Sequence, residues 1–439
     1  MKNRQQSKLE QSLALAIKSH QSGALEKAVK LYKKILRKMP THPDALHYLG
    51  IAFHQLGESE TAITHIERAL AVSPNYPDAL NNLGNIYKEI GALEKALSRY
   101  KKVLKHWPKH ADTHVNMAIV LQETKQRSQA LKHVNIAIEI IPEHGPAYFN
   151  LAKIQENNEQ LELAIESYKK AISIDPSNLE AIKNSAKLLH KSGREKDAII
   201  LLEQYLKRNP TNPIAQHMLA SFGAADTPER AKDDYVRQVF DRFSASFDNS
   251  LERLHYKVPE FINNAVIHTL DQNAVSVNIL DIGCGTGLCG PLLKEYATSL
   301  TGVDLSSKML EKAKQRNTYD ELHEAELTLY MQTCNRHFDY ITCADTFIYF
   351  GELRNAFKAA YHALKPAGYL IFSIERHTLN QQNYHLQLHG RYSHHKDYVQ
   401  QTLRELGFEV QSIDDIVPRF ESGEPVKGAL VIAQKAITH

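Results

Sequence analysis

The chain has 439 residues, too many for one ordinary core, so two or more domains are expected. At 43% hydrophobic and 23% charged residues it has the composition of a soluble globular protein, which excludes a disordered chain, and no apolar stretch is long enough to cross a membrane. The net charge of +3 is too small to argue for nucleic acid, but 31 Lys+Arg against 22 Asp+Glu in residues 1–222 give that part +9 and leave −6 for the rest, a split that fits acidic partners or simply solvated helix faces.

The first residues run into an amphipathic helix with no long apolar core, so no signal peptide is expected. A period of 34 residues then governs residues 1–222. Prolines recur at Pro40, Pro74, Pro108, Pro142, Pro176 and Pro210, and alanines at Ala28, Ala62, Ala96, Ala130, Ala164 and Ala198. Bulky side chains recur at Tyr32, Ile66, Tyr100, Val134, Tyr168 and Leu202. Leu49-Gly50 and Leu83-Gly84 return softened as Met117-Ala118, Leu151-Ala152 and Ser185-Ala186. Six units of this length predict a helical solenoid. Small residues let paired helices cross closely, and each proline ends a second helix.

The pattern resembles the tetratricopeptide repeat. The resemblance implies six antiparallel helix pairs wound into a superhelix, with Pro213 to Ala220 as a further first helix that caps the array. Asn82, Asn116, Asn150 and Asn184 hold one place in four consecutive units. A ladder of amides can donate to and accept from an extended peptide, so these four are peptide-binding candidates. The alternative is that they tie helices together. Asp44, Asp78 and Asp112, near the helix starts, read as caps.

Gly223 to Glu229 is a polar break with glycine and proline, and the boundary is placed there, giving domains 1–222 and 223–439. Tyr235, Phe240, Phe243 and Phe247 follow on overlapping helical faces. They suit core packing, a lid that excludes water, or both.

The apolar run Val277 to Ile282 predicts a buried parallel strand, ended by Gly283, Gly285 and Gly287 and followed by a helical stretch. A second strand, Ser299 to Val303, ends in Asp304, placed to accept from both hydroxyls of a ribose. This βαβ unit predicts an adenosine-containing cofactor. Gly285-x-Gly287-x-x-Gly290 also satisfies the dinucleotide pattern, so NAD is weighed.

The fuller stretch Asp281-x-Gly283-x-Gly285-x-Gly287, with Asp304, resembles the first motif of class I S-adenosylmethionine-dependent methyltransferases. That resemblance implies a Rossmann-like α/β domain with a mostly parallel seven-stranded sheet. In this family the acid at Asp281 helps orient the methionine end of the cofactor. Met309 is expected near the adenine, Glu326, at the tip of a short third strand (322–325), near its amino group, and Asp345, ending the fourth strand from Phe338, beside the methyl donor. A helix over 351–363, a strand Tyr369 to Ile374, a helix over 397–406, and strands near 408–413 and 428–434 complete the alternation.

A polar insertion, Glu375 to His395, contains Gly390-Arg391-Tyr392-Ser393-His394. With Tyr319-x-x-Leu322 and Arg419-x-x-x-Gly423-x-Pro425-Val426-x-Gly428, it resembles a bacterial group of predicted methyltransferases with tetratricopeptide repeats. His394 titrates near neutrality and is the candidate base. Arg391 could clamp a carboxylate or phosphate, and Tyr392 could line the pocket. The alternative for all three is a structural tie. No Asn-Pro-Pro-Tyr-like tetrapeptide follows the fourth strand, which counts against exocyclic-amine methylation.

The four cysteines (Cys284, Cys289, Cys334, Cys343) lack zinc-ligand spacing, and no metal is expected. They read as reduced thiols of a cytoplasmic protein. The expected function is methyl transfer to an acceptor recruited through the repeats, a protein or a protein-carried substrate. The rivals are a small-molecule methyltransferase whose repeats only bind a partner, and a scaffold whose cofactor domain has lost activity.

Overall fold

The computed structural model describes residues 2–270, 277–335, 337–379 and 382–437. Packing divides the chain into two compact units, Met1–Arg194 and Glu195–His439.

The first unit is all helical. Its elements are α1 (Lys2–Gln21), α2 (Leu25–Lys38), α3 (Pro43–Gln55), α4 (Ser59–Val72), α5 (Pro77–Glu89), α6 (Leu93–His106), α7 (Ala111–Glu123), α8 (Arg127–Ile140), α9 (Gly145–Asn157), α10 (Leu161–Ile174) and α11 (Leu179–Lys191). The repeating alanines from Ala28 to Ala164 and the bulky side chains from Tyr32 to Tyr168 are fully buried. The small residues at the helix crossings are required by space: a Cβ on Gly50 would stand 2.5 Å from the Ile66 side chain, and one on Gly84 2.4 Å from the Tyr100 ring.

The helix caps differ from the sequence expectation. Asp44, Asp78 and Asp112 lie in the first turns of α3, α5 and α7, where they complement the helix dipole. In α3, α7, α9 and α11 the capping bond comes from the residue before the helix: His42, His110, His144 and Asn178 each accept the N–H three residues on, whereas Tyr76 before α5 makes no such bond.

The second unit begins with α12 (Glu195–Arg208) and α13 (Pro213–Ser221). The repeat pattern places this hairpin with the array and the boundary at 222/223; in the structure α13 meets α14 (Asp233–Phe243), and buried His217 reaches the Gly390 turn. Then come α15 (Phe247–Arg253), α16 (Val258–Thr269), β1 (Asn278–Ile282), α17 (Gly290–Leu293), β2 (Ser299–Asp304), α18 (Ser307–Arg316), β3 (Glu321–Glu324), α19 (Leu327–Thr333), β4 (Phe338–Cys343), α20 (Arg354–Ala363) and β5 (Leu364–Arg376). They are followed by β6 (Tyr384–Leu386), β7 (Tyr392–His394), α21 (Lys396–Glu405), β8 (Phe408–Ile416), β9 (Phe420–Glu421), β10 (Glu424–Pro425) and β11 (Gly428–Lys435).

The main sheet runs β3-β2-β1-β4-β5-β11-β8. Its first five strands are parallel, and β11 is antiparallel to both neighbours. This is the expected seven-stranded path. The insertion adds two strands that sequence reading left as loop: β7 pairs with the end of β5, and β6 with β7. The order reverses between β1 and β4, which opens a crevice beyond the carboxyl ends of the strands.

Candidate functional site

The crevice is a cavity of about 320 Å³. Its floor is made of strand tips: Gly283 and Gly285 after β1, Asp304 ending β2, Ala325 and Glu326 after β3, Asp345 and Thr346 after β4.

The glycine loop needs its glycines. Gly283, Gly285 and Gly287 have φ of 67°, 55° and 82°, the left-handed region. A Cβ on Gly283 would fall 2.1 Å from Thr346 Oγ1. Gly285 is different: its Cβ position meets only the Phe247 ring, at 3.9 Å, so bare backbone faces the cavity. The Gly285 amide donates to Asp304 Oδ2 at 2.9 Å, and the Ser306 amide to Oδ1 at 2.8 Å. Burial raises the Asp304 pKa against the pull of these amides. The Leu305 amide also reaches this carboxylate, and the acceptor capacity that remains is open to a hydroxyl.

Asp281 is buried under the loop and does not line the cavity. Its carboxylate accepts from Tyr319 Oη at 2.7 Å and Thr342 Oγ1 at 3.0 Å, tying β1 to β4 and to the segment before β3. Burial pushes its pKa up to about 6. Gly287 also lies behind the cavity, where it makes room for Tyr319 and Ala313. Met309 is fully buried and absent from the lining, because it sits on the core side of α18; Leu305 faces the cavity in its place. Glu326 lines it as expected. Its Oε2 caps α19 through the Leu329 amide, and its Oε1 is buried with no partner. An orphaned acceptor at the third strand tip fits an adenine amino group.

The roof is α14 and α15. Tyr235, Phe240, Phe243 and Phe247 all line the cavity. Asp241 accepts from Ser306 Oγ and Asp248 from Thr286 Oγ1, each at 2.5 Å, and Arg316 also pairs with Asp248 at 2.5 Å. These helices are therefore tied to the glycine loop and to α18, with their aromatic faces inward.

The far end of the cavity is charged. Arg419 pairs with Asp345, Glu375 and Glu421, and Arg391 with Glu375 at 2.7 Å and Glu421 at 2.6 Å. Burial works against both arginines, but the carboxylates around them hold both pKa values above the usual range. Burial likewise opposes the Glu421 charge, yet Arg391 and Arg419 bring its pKa down to about 2. Tyr256, Tyr349 and His389 complete this end. Sequence reading quotes Arg419 only within a family motif, takes His389 for a plain surface residue, and does not single out Tyr256 or Tyr349. Arg419 and Asp345 lie 74 residues apart, a pairing no local pattern reveals.

Of the three catalytic candidates only Arg391 reaches the cavity. Residues 392 and 394 point to the opposite face of β7, by the two-residue period of a strand. His394 is fully buried, with Nε2 donating to the Phe350 carbonyl at 2.8 Å. Burial lowers its pKa to about 4. It is not the base. Tyr392, also buried, donates to the Pro228 carbonyl at 2.7 Å and does not line the pocket.

In the repeats, Asn82 Nδ2 donates to His47 Nε2 at 3.0 Å, Asn116 Nδ2 to Asn81 Oδ1 at 3.2 Å, and Asn150 Nδ2 to the Pro146 carbonyl at 2.8 Å. Asn184 bonds to Tyr168. The amide donors of Asn82, Asn116 and Asn150 are thus engaged within the protein. Among the described residues no cluster of His, Cys, Asp or Glu could hold a metal, no helix is long and apolar enough to cross a membrane, and all four cysteines are free thiols.

The fold and the glycine-loop cradle fit the resemblance to class I S-adenosylmethionine-dependent methyltransferases. Residues 279–368 match the family model described as "Methyltransferase domain". Tetratricopeptide repeat models match residues 31–64, 52–91, 91–154 and 155–222, so the chain joins such repeats to such a domain. It is similar to the malonyl-[acyl-carrier protein] O-methyltransferase of Priestia megaterium, 32% identical over 163 residues, 37% of this chain and 57% of that one. It is also similar to the ubiquinone biosynthesis O-methyltransferase of Haemophilus ducreyi, 26% identical over 140 residues, 30% and 58% of the two chains. The chain spans about half the length of the curated relatives it matches. Among solved structures, the magnesium protoporphyrin IX methyltransferase of Synechocystis PCC 6803 with bound SAH covers 46% of this chain and 99% of its own, at 17% identity and TM-score 0.37.

Proposed function

We propose that the protein transfers the methyl group of S-adenosylmethionine to an acceptor recruited through its repeats, a protein or a substrate carried by one. The observation that carries this reading is one continuous cavity, with the Gly285–Asp304–Glu326 cradle at one end and the Asp345–Arg419–Arg391 cluster at the other. Asp304 would hold the ribose, Glu326 the adenine amino group, and Asp345 would lie beside the reacting end. The bound cofactor supplies an activated methyl group with a good leaving group. The protein's own task is to align the acceptor and exclude water, which suits the aromatic roof. Arg391 Nε is engaged by Glu375 and Nη2 by Glu421, so in this reading it shapes the acceptor wall. The names of the relatives indicate oxygen acceptors, in one case on a carrier protein, and this supports an acceptor delivered by a protein. The partner is proposed to dock on the repeats, by way of the carbonyl oxygens that Asn82, Asn116, Asn150 and Asn184 retain. The free thiols fit a reducing compartment such as the cytoplasm.

Calorimetric titration with S-adenosylhomocysteine tests the cofactor end. Asp304→Ala removes the charged acceptor for two hydroxyls and is expected to cost about 2 kcal/mol, roughly 30-fold in affinity. An unchanged affinity would overturn the cradle. The small-molecule rival predicts that residues 195–439 alone methylate a small acceptor at the full-length rate. Protein-borne delivery predicts that they do not.

A further inference from the structure

We propose that the terminal hairpin α12–α13 forms part of the catalytic wall, and that His217 is a positioning residue for the acceptor end of the cavity. The inference rests on the methyl-transfer reading and goes beyond it, because the repeat pattern gives this hairpin only the end and cap of the array.

His217 is 5% exposed and does not line the cavity. Its Nε2 donates to the Gly390 carbonyl at 2.8 Å, and its ring lies 4.0 Å from that of Tyr235. Both contacts are walls of the site. Gly390 stands between His389 and Arg391, which line the cavity, and Tyr235 lines it from the roof. The turn is tight: the Gln387 amide donates to the Arg391 carbonyl and the Gly390 amide to the Gln387 carbonyl, each at 2.8 Å. Gly390 has φ +88°, and a Cβ there would come 2.6 Å from Tyr235 Oη. The turn therefore presses its bare backbone against the roof helix, and the His217 bond holds it there. Arg391, leaving this turn, carries the ion pairs with Glu375 and Glu421.

A second observation is independent of His217. Gly223 to Glu229 reads in sequence as a polar break, the kind that makes a loose linker, yet its end and the two residues after it are bonded along the segment that bears Tyr349. The Ala231 amide donates to the Tyr349 carbonyl, and the Gly351 amide to the Glu229 carbonyl, each at 2.8 Å. Helix α13 and the segment 229–231 thus brace the acceptor end from both sides.

The test uses the full chain. His217→Leu keeps apolar bulk beside Tyr235 and deletes the donor, while His217→Gln keeps a donor. Two readouts follow in each: hydrogen exchange of the 387–391 amides, and affinities for S-adenosylhomocysteine and for sinefungin, an analogue whose ammonium group projects toward the acceptor end. For His217→Leu, exchange in the turn should rise about fivefold and sinefungin affinity fall about fivefold, the loss of one buried hydrogen bond. Affinity for S-adenosylhomocysteine should hold within about twofold, since its cradle is untouched, and His217→Gln should behave as wild type. A folded His217→Leu with unchanged exchange and an unchanged ratio of the two affinities overturns the proposal, as does a Gln variant no better than Leu. Failure of the wild type to bind either ligand would instead sink the methyl-transfer reading, and the exchange comparison would still decide whether His217 holds the turn.

Discussion

Arg419→Met is the most informative single change at the acceptor end. The guanidinium is 5% exposed and faces Asp345 and Glu375, which are 11% and 6% exposed, and half-buried Glu421. Methionine fills much of the stem's volume but removes every ion pair, leaving buried carboxylates with only Arg391 to answer them. Breaking a buried pair from one side costs about 3–5 kcal/mol, and for a unit of this size about 2–4 °C of melting temperature goes with each kcal/mol. A fall of roughly 6–20 °C is therefore expected for the 195–439 unit. The pH dependence fixes the cause. In the wild type the Glu421 pKa is held down to about 2, so its contribution is present above the ordinary carboxylate range and is lost as pH falls toward 2. In the variant the stranded carboxylates have raised pKa values. Their contribution is favourable below the unfolded value and is lost as pH rises through the folded one. The deficit should then be largest near pH 8 and shrink near pH 5. Far-UV circular dichroism reports the whole chain, while emission from the one tryptophan, Trp107, follows the 1–194 unit separately. A loss under about 1 kcal/mol, equal at both pH values, would refute the view that this cluster is a buried, mutually dependent network.

Two further outcomes are expected. Gly84→Ala pushes a methyl to 2.4 Å from the buried Tyr100 ring, so the repeat unit should lose about 1–3 kcal/mol, read by Trp107 emission in urea; a neutral change would mean that the crossing has slack. His394→Asn should leave affinity for S-adenosylhomocysteine intact. The folded pKa of His394, about 4, lies below its ordinary value, so its contribution is present above about pH 6.5 and fades as pH falls toward 4; removing the imidazole should flatten the stability curve in that window by about 3 kcal/mol, and an unaltered curve would contradict its burial as a neutral ring.

Where local sequence dictates local geometry, reading the residues was enough. The 34-residue period, the glycine loop with Asp304, and the aromatic face of α14 and α15 each express one element's own repeat or turn, and each stands where the pattern implied. Glu326 and Asp345 were legible too, because strand tips in an open parallel sheet converge on one crevice. Three adjacent residues in the insertion were not separable. Arg391, Tyr392 and His394 belong to one short motif, and only the strand β7, whose existence depends on the tip of β5, decided that the first faces the cavity and the others face away.

By itself the sequence determined that this chain is a helical repeat array followed by an α/β domain with a glycine loop after its first strand, since periodicity and backbone freedom are properties of neighbouring residues. Only the tertiary structure decided that Arg419 answers Asp345 across 74 residues, that Tyr319 holds Asp281 beneath the loop, and that His217 reaches the Gly390 turn. Those contacts arise when distant segments exclude water together, and no stretch of the chain carries a mark of the partner it will meet.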